Sequence, residues 1–198
     1  MKPYSESCAQ NRDPILKVLQ QELQQATHLL EIGSGTGQHS VYFAGAFPHM
    51  IWQTSELAEN IPGIIHWHQD CDAPNLPAPI VLDADKGPWP ETRFDAIFSA
   101  NTAHIMGWPQ VEKMFVGVGQ CLQMGGSFLL YGPFNYGGKY TSESNARFDQ
   151  WLQQRDPQSK IRHMEEVQEL GLQQGLILVK DHEMPANNRI LQWRKAAL

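Results

Sequence analysis

Three acidic residues and one glycine-rich turn are spaced so that together they could hold a single small molecule. The stretch LLEIGSGTGQHS, Leu29 to Ser40, runs from apolar residues through Glu31 into Gly33, Ser34, Gly35 and Gly37, then into residues able to open a helix. Glycine permits positive φ and close approach of backbone to a ligand. The G-x-G-x-G spacing departs from the G-x-G-x-x-G dinucleotide fingerprint, in which a bare helix N-terminus attracts a pyrophosphate. Glu31, two residues before the first glycine, suits a cationic partner better. Glu56 ends a second apolar run, MIWQTSE, where an acid can accept both ribose hydroxyls. Asp83 ends a third, in VLDAD, and can accept from the exocyclic amine of adenine. Each acid alone is explicable as a solvated strand end; their joint position on three successive strand ends carries the reading. A ligand with an ammonium group, a ribose and an adenine but no phosphate is S-adenosylmethionine, the cofactor expected here.

Further candidates follow from that expectation. Gly33, Ser34, Gly35 and Gly37 would wrap the methionine part, with Glu31 acting near its amino end through water or backbone groups. Arg12, with Asn11 beside it, could reach the cofactor carboxylate or be a plain surface residue. Asn101 and His104 follow a fourth strand, where the transferable methyl should lie. Asn101 could touch the cofactor's amino group. His104 has an unperturbed pKa near neutrality and could act as general base, or it could be structural. Trp108 could wall the site or cover the core. The stretch YGPFNYGGKY brings Tyr131, Phe134, Tyr136 and Tyr140 toward the same mouth, where aromatic faces could bind an acceptor or attract a sulfonium. Asn145 and Arg147 open the next helix. Asn187 and Asn188 sit in the last turn and could orient a polar acceptor. Methyl transfer chiefly needs alignment of acceptor, methyl and sulfur, so no single essential catalytic side chain is required.

These residues need a scaffold, and the hydrophobic pattern supplies one. HLLEIG, MIWQTSE, PAPIVLDAD, RFDAIFSAN, GGSFLLYGPF, LILVKDHEM and RILQWRK read as strands. Between them DPILKVLQQELQQ, HSVYFAGAF, PQVEKMFVGVGQCL, SESNARFDQWLQQRD and MEEVQELGLQQG read as helices. The first would start at the cap Asp13 with Pro14 at the first helical position. Alternation of strands and helices predicts a doubly wound, mostly parallel α/β sheet of seven strands. The short PANN turn makes the last two strands an antiparallel hairpin. Ligands in such sheets bind beyond the carboxyl ends of the strands, at the topological switch point. A single domain over residues 1–198 is expected, with an N-terminal cap helix within 1–26 and a substrate-side lid insertion at 131–160.

Composition narrows the classes. A chain of 198 residues suits one core. No apolar run approaches the roughly 18 residues needed to span a bilayer, and the N-terminus lacks the apolar centre of a secretory signal. Cys8, Cys71 and Cys121 are scattered and odd in number, as reduced thiols of a cytoplasmic protein would be. A net charge of -6 disfavours binding to nucleic-acid backbone; Arg189, Arg194 and Lys195 gather only as a solvated terminal strand. His66 to Asp72, HWHQDCD, has ligand types without convincing metal spacing, so no metal is expected. A small-molecule acceptor is the expected partner, with no membrane.

The pieces quoted above resemble the class I S-adenosylmethionine-dependent methyltransferases over nearly the whole chain. LLEIGSGTG is similar to their first motif, SE at 55–56 to their acidic second-strand end, LDA at 82–84 to their third, FDAIFSANTAHI to the fourth-strand motif and GGSFLLYGPF to the fifth. A closer resemblance is to the domain of unknown function 938 (methyltransferase-like protein 26) family, carried by NRDPIL, LEIGSGTGQHSVYFA, SANTAHIMGW, LLYGPF, TSESNARFDQWLQQRDP and EMPANN. Glu56 stands where that family often carries aspartate, an exchange that keeps the carboxylate. The Asn-Pro-Pro-aromatic loop of many amino methyltransferases is replaced by SANTAH, against methylation of DNA amines or glutamine amides. The resemblance implies the fold and the cofactor and leaves the acceptor open. A cytoplasmic small-molecule methyltransferase is expected first. A protein- or RNA-directed enzyme working with a partner, a non-catalytic S-adenosylmethionine binder and an NAD-dependent oxidoreductase are the alternatives.

Overall fold

Neighbouring apolar residues point to opposite faces of the sheet, and that alternation builds two cores. In a computed structural model describing residues 2–196, Leu30, Ile97 and Phe128 enter one apolar layer. Leu29, Phe98 and Leu129, each one residue away, enter the other. These residues come from β1 (His28–Ile32), β4 (Phe94–Ala100) and β5 (Leu122–Gly132). Strands covered on both faces read as near-continuous apolar runs, as these do. The first layer is closed by α4 (Trp108–Cys121) and α6 (Met164–Gln173), through Val111, Phe115, Val118 and Val167. The second is closed by α1 (Glu6–Glu22) and α2 (Gln38–Ala46), through Ile15, Leu19 and Phe43.

The remaining strands are β2 (Ile51–Glu56), β3 (Ile80–Val81), β8 (Leu176–Met184) and β9 (Asn188–Lys195). The seven-stranded sheet has the order β3-β2-β1-β4-β5-β9-β8. β1 pairs in parallel with β2 and with β4, so chain direction through the sheet diverges between β1 and β4. Only β9 runs antiparallel, against both β5 and β8. This is the doubly wound sheet with an antiparallel terminal hairpin that the sequence predicts. Because β8 is parallel to the others, its end at Met184 reaches the same carboxyl edge as Ile32, Glu56 and Ala100.

Three local features differ from the sequence expectation. The first helix begins at Glu6 rather than after Asp13, and Pro14 lies inside it. Asp13 does not cap: its Oδ1 accepts from the Tyr42 hydroxyl at 2.7 Å. The turns ahead of Pro14 are held by tertiary contacts instead, Asn11 Oδ1 meeting His39 Nε2 at 2.7 Å. Proline then forfeits only the hydrogen bond to the carbonyl four residues earlier. HWHQ, assigned to no element from the sequence, belongs to α3 (Ile61–Gln69), with Pro62 in its first turn and Ile64 fully buried. The third strand is two residues long, because Asp83 folds back to Gly87.

Between β5 and α6 the chain makes an excursion over the carboxyl edge. It carries β6 (Phe134–Asn135), α5 (Glu143–Arg155) and β7 (Arg162–His163), and β6 pairs with β7 to close its base. Ser142 caps α5 by accepting from the Asn145 N–H. Among the described residues no helix is long and apolar enough to cross a membrane.

Candidate functional site

A cavity of about 600 Å3 opens at the carboxyl edge where β1 and β4 part. Gly33, Ser34 and Gly35 form one wall, Glu56 and Asp83 line the side under β2 and β3, and Asn101 lies opposite. The sequence expectation thus brings the glycine turn and two of its three acids to one hollow.

The turn is built for close approach. Gly33, Gly35 and Gly37 all have positive φ, of 69°, 56° and 87°. A β-carbon on Gly33 would lie 2.6 Å from Thr102 Cγ2, so the strand end and the loop after β4 meet only because Gly33 has none. At Gly35 the corresponding position faces open space, leaving the main chain accessible from the cavity. Gly37 packs instead on Ile64 of α3, where a β-carbon would sit 3.0 Å from the Ile64 α-carbon.

The acids are fixed by main-chain donors. Glu56 Oε2 accepts from the Gly35 N–H at 2.8 Å, and its Oε1 accepts from the Leu57 N–H at 2.8 Å and from Asn60 Nδ2 at 3.3 Å. A carboxylate offers about four acceptor positions, so Oε2 keeps one for a ligand. Asp83 Oδ1 accepts from the Asp85 N–H at 2.8 Å, while Oδ2 has only Lys86 Nζ at 3.8 Å. Asp85 and Asp156 also line the cavity, and among the described residues no Lys or Arg does; Asp85 is paired with Lys113 at 2.7 Å.

Glu31 lies elsewhere. It is 2 % exposed, behind the turn, and does not line the cavity. Its Oε2 accepts from Trp52 Nε1 at 2.9 Å. Burial pushes its carboxyl up to about 7. Strand alternation explains this: Glu31 points into the α1/α2 side of the sheet, so a charge read along the sequence as facing a ligand faces an indole.

Two further chambers meet the cavity at Asn101 and Ser7. Asn101 has φ 60°, a left-handed conformation that asparagine tolerates better than most residues, and its N–H donates to the Tyr131 carbonyl at 2.9 Å. One chamber, of about 360 Å3, includes Tyr131, Asn145 and Asn188 among its walls. The other, of about 570 Å3, is lined by His104, Phe148 and Trp151. His104 is 6 % exposed, and burial together with the Arg162 guanidinium lowers it to about 4. Its ring meets Phe148 edge-on at 5.4 Å. Arg162 itself is buried and donates to the carbonyls of Ala103, Met106 and Gln158, clamping the loop that carries Asn101 and His104.

Several expected site residues are placed outside these hollows. Arg12 stacks on Tyr42 at 4.5 Å and lies 3.7 Å from Asp13, on the outer side of α1. Phe134 is 1 % exposed and Trp108 packs against the same core, because β6 and the start of α4 turn those faces inward. Arg147 is exposed and sits 3.7 Å from Glu143 on α5. Asn187 touches Ser144 Oγ at 3.4 Å and offers its carbonyl to Asn145. Tyr136 and Tyr140 spend their hydroxyls on Asp181 and Asp149; burial and then the Asp181 carboxylate raise Tyr136, and the Asp149 carboxylate raises Tyr140.

The first turn of α1 supplies walls that the sequence did not suggest: Ser5, Ser7 and Cys8 all line the large cavity. Reading Pro14 as a helix start hid them. His39, also in that cavity, is held neutral by burial at about 4. Its position one turn beyond the glycines was a usable signal. Among the described residues no cluster of three or more metal-ligating side chains occurs.

Comparison with known proteins gives consistent results. The model of the family described as "Protein of unknown function (DUF938)" matches residues 2–195. Among solved structures, human N-acetylserotonin methyltransferase in complex with S-adenosylmethionine superposes with a TM-score of 0.80 at 14 % identity, over 97 % of this chain and 53 % of that one. An O-methyltransferase family 2 protein from Planctomyces limnophilus, in complex with apigenin, gives 0.82 at 16 % identity, over 96 % and 60 %. The mitomycin 7-O-methyltransferase MmcR gives 0.76 at 16 % identity, over 93 % and 54 %. The chain thus spans little more than half the length of these three. At such identities the likeness is one of fold, and the fold is Rossmann-like, shared with these methyltransferases.

Proposed function

The chain belongs to the DUF938 family, and from that premise we propose that it is an S-adenosylmethionine-dependent methyltransferase acting on a small-molecule acceptor. The observation that carries the reading is the convergence of Gly33–Gly35, Glu56, Asp83 and Asn101 on one cavity at the switch point of the sheet. Its 600 Å3 lies within the range of about 300–1,000 Å3 usual for small-molecule sites.

The residues present fit the cofactor. The open face at Gly35 accepts close approach of a flat or branched group. Glu56 Oε2 retains one acceptor position, enough for one ribose hydroxyl, and the second hydroxyl can replace the long contact from Asn60. Asp83 Oδ2 is open to an exocyclic amine. The cavity lining is acidic, which favours a ligand carrying net positive charge and disfavours a pyrophosphate. When bound, S-adenosylmethionine would supply an electrophilic methyl group on a sulfonium.

What the chain does is align and enclose. Asn101, at the junction of the three hollows, stands between donor and acceptor. Ser7 and Cys8 from α1 line the cavity and would shield a bound cofactor from water on that side. His104 is neutral at physiological pH and offers a lone pair to an acceptor hydroxyl, but its low basicity makes it a hydrogen-bond partner rather than a strong base. Arg162 positions both through its grip on the loop. The neighbours of known structure named above include enzymes crystallised with S-adenosylmethionine or with a flavone, which supports a small acceptor.

Isothermal titration of the full chain with S-adenosylmethionine should give one site with micromolar affinity, and an absence of heat at high micromolar concentration would end this reading. Incubation with labelled cofactor and fractionated cell extract then separates acceptors. Label is expected in the small-molecule fraction; label only in protein or RNA would move the acceptor to a macromolecule.

A further inference from the structure

The 360 Å3 chamber has a composition unlike the cavity it adjoins. Amide side chains of Gln10, Asn11, Asn101, Asn145 and Asn188 line it with the Tyr131 phenol, and among the described residues no Asp, Glu, Lys, Arg or His does. Burial raises the Tyr131 hydroxyl, so it too is uncharged at neutral pH.

Three of the amides are held by hydrogen bonds. Asn145 gives its Nδ2 to Thr141 Oγ1 at 2.9 Å and to the Asn187 carbonyl at 3.1 Å. A carbonyl can only accept, so the amino group is committed there and Oδ1 is the atom left for a ligand. Asn188 Nδ2 faces the Pro185 carbonyl at 3.3 Å, again leaving Oδ1. Across from them Asn11, 2.7 Å from His39 Nε2, bonds the Tyr131 hydroxyl, a group able to donate or accept. The α5 and hairpin wall therefore accepts, and the facing wall presents a neutral hydroxyl of either sense.

An ion entering such a chamber exchanges its hydration shell for neutral dipoles with no counter-charge, which is costly. An uncharged molecule with a donor next to an acceptor is matched on both walls. We propose that this chamber selects uncharged compounds bearing an amide or hydroxyl group, and that these are the methyl acceptors. The second half rests on the methyltransferase reading; the first half stands without it.

Benzamide, benzoate and benzylamine are close in shape and are neutral, anionic and cationic at pH 7.5, which makes them suitable probes. NMR titration of the full chain should show benzamide binding about tenfold or more tighter than either ion. Asn188→Asp, at a half-buried position off the core, should raise benzylamine above benzamide. The proposal is overturned if either ion matches benzamide on the wild type, if benzamide does not bind by millimolar concentration, or if Asn188→Asp leaves the order unchanged. Titration with S-adenosylmethionine is run separately. Benzamide selectivity without cofactor binding would remove the methyltransferase reading and keep the chamber's.

Discussion

The cavity under the glycine turn and the chamber beside the hairpin share Asn101 and Ser7, yet they are made of different chemistry. In the cavity the polar groups include carboxylates held by main-chain N–H groups, Glu56 by Gly35 of the turn after β1 and by its neighbour Leu57, and Asp83 by Asp85. In the chamber the polar groups include amides whose amino ends are taken up by oxygen acceptors, as that of Asn145 is by Thr141 Oγ1 and the Asn187 carbonyl. The difference teaches how one sheet edge can carry two kinds of hollow: main-chain donors steady carboxylates in one, and oxygen acceptors steady the amino ends of amides in the other.

The largest effect expected from breaking this division is at Gly33. Gly33→Val places a branched side chain against Thr102 with φ at 69°. Overpacking and left-handed strain together should cost about 2–4 kcal/mol of stability, seen as a lower melting temperature, and calorimetry should detect no cofactor. Gly35→Ala meets open space and should suffer only the backbone strain, of about 1 kcal/mol. Equal losses at the two positions would mean that the cavity wall is not formed as described.

Next in size are the acids. Glu56→Gln removes the charge from the hydrogen bond expected with ribose and should weaken cofactor binding about 10- to 100-fold. Asp83→Asn should cost less than about tenfold, because one of its oxygens already serves the turn to Asp85. Neither substitution should change benzamide binding by more than about twofold. If both did, the two hollows would be one electrostatic unit and the comparison would fail.

A last effect, on stability alone, concerns the acid that stayed out of the cavity. With its folded value raised to about 7 by burial, Glu31 ionises in the unfolded chain before it does in the folded one. Stability is therefore full at low pH and is lost as pH rises from about 4.5 through 7. Gln at this position keeps an acceptor for Trp52 Nε1. Urea denaturation should find Glu31→Gln about equal to wild type at pH 4 and more stable by about 1–3 kcal/mol at pH 8. A loss of stability at pH 8 would instead mean that the ionised carboxylate has a cationic partner, and would return Glu31 to the ligand site.

Much of the scaffold was legible because its signals are local and periodic. The runs LLEI, FDAIFSA and FLLYG are buried on both faces, and each became a central parallel strand. The glycine turn was legible because three positive-φ positions leave few alternatives to glycine. Misreadings arose where a residue's usual role yielded to a tertiary contact. Pro14 usually opens a helix, but contacts of Asn11 with α2 extended the helix past it. Phe134 and Trp108 looked like mouth aromatics and are core, since an aromatic's exposure depends on what packs over it. Arg12 found Tyr42 rather than a carboxylate ligand.

By itself the sequence determined the strand order's raw material, the family, the glycine turn and two of the acids that line the cavity, Glu56 and Asp83. These depend on period, on backbone permissiveness and on strand ends, all properties of a few consecutive residues. Only the tertiary structure decided which acid of the three turns away from the cavity, which further segment lines it, and that a neutral chamber adjoins it. Those outcomes depend on which face a strand presents and on residues such as Asn11, Asn145 and Asn188, brought together from distant segments by packing that no short stretch of chain encodes.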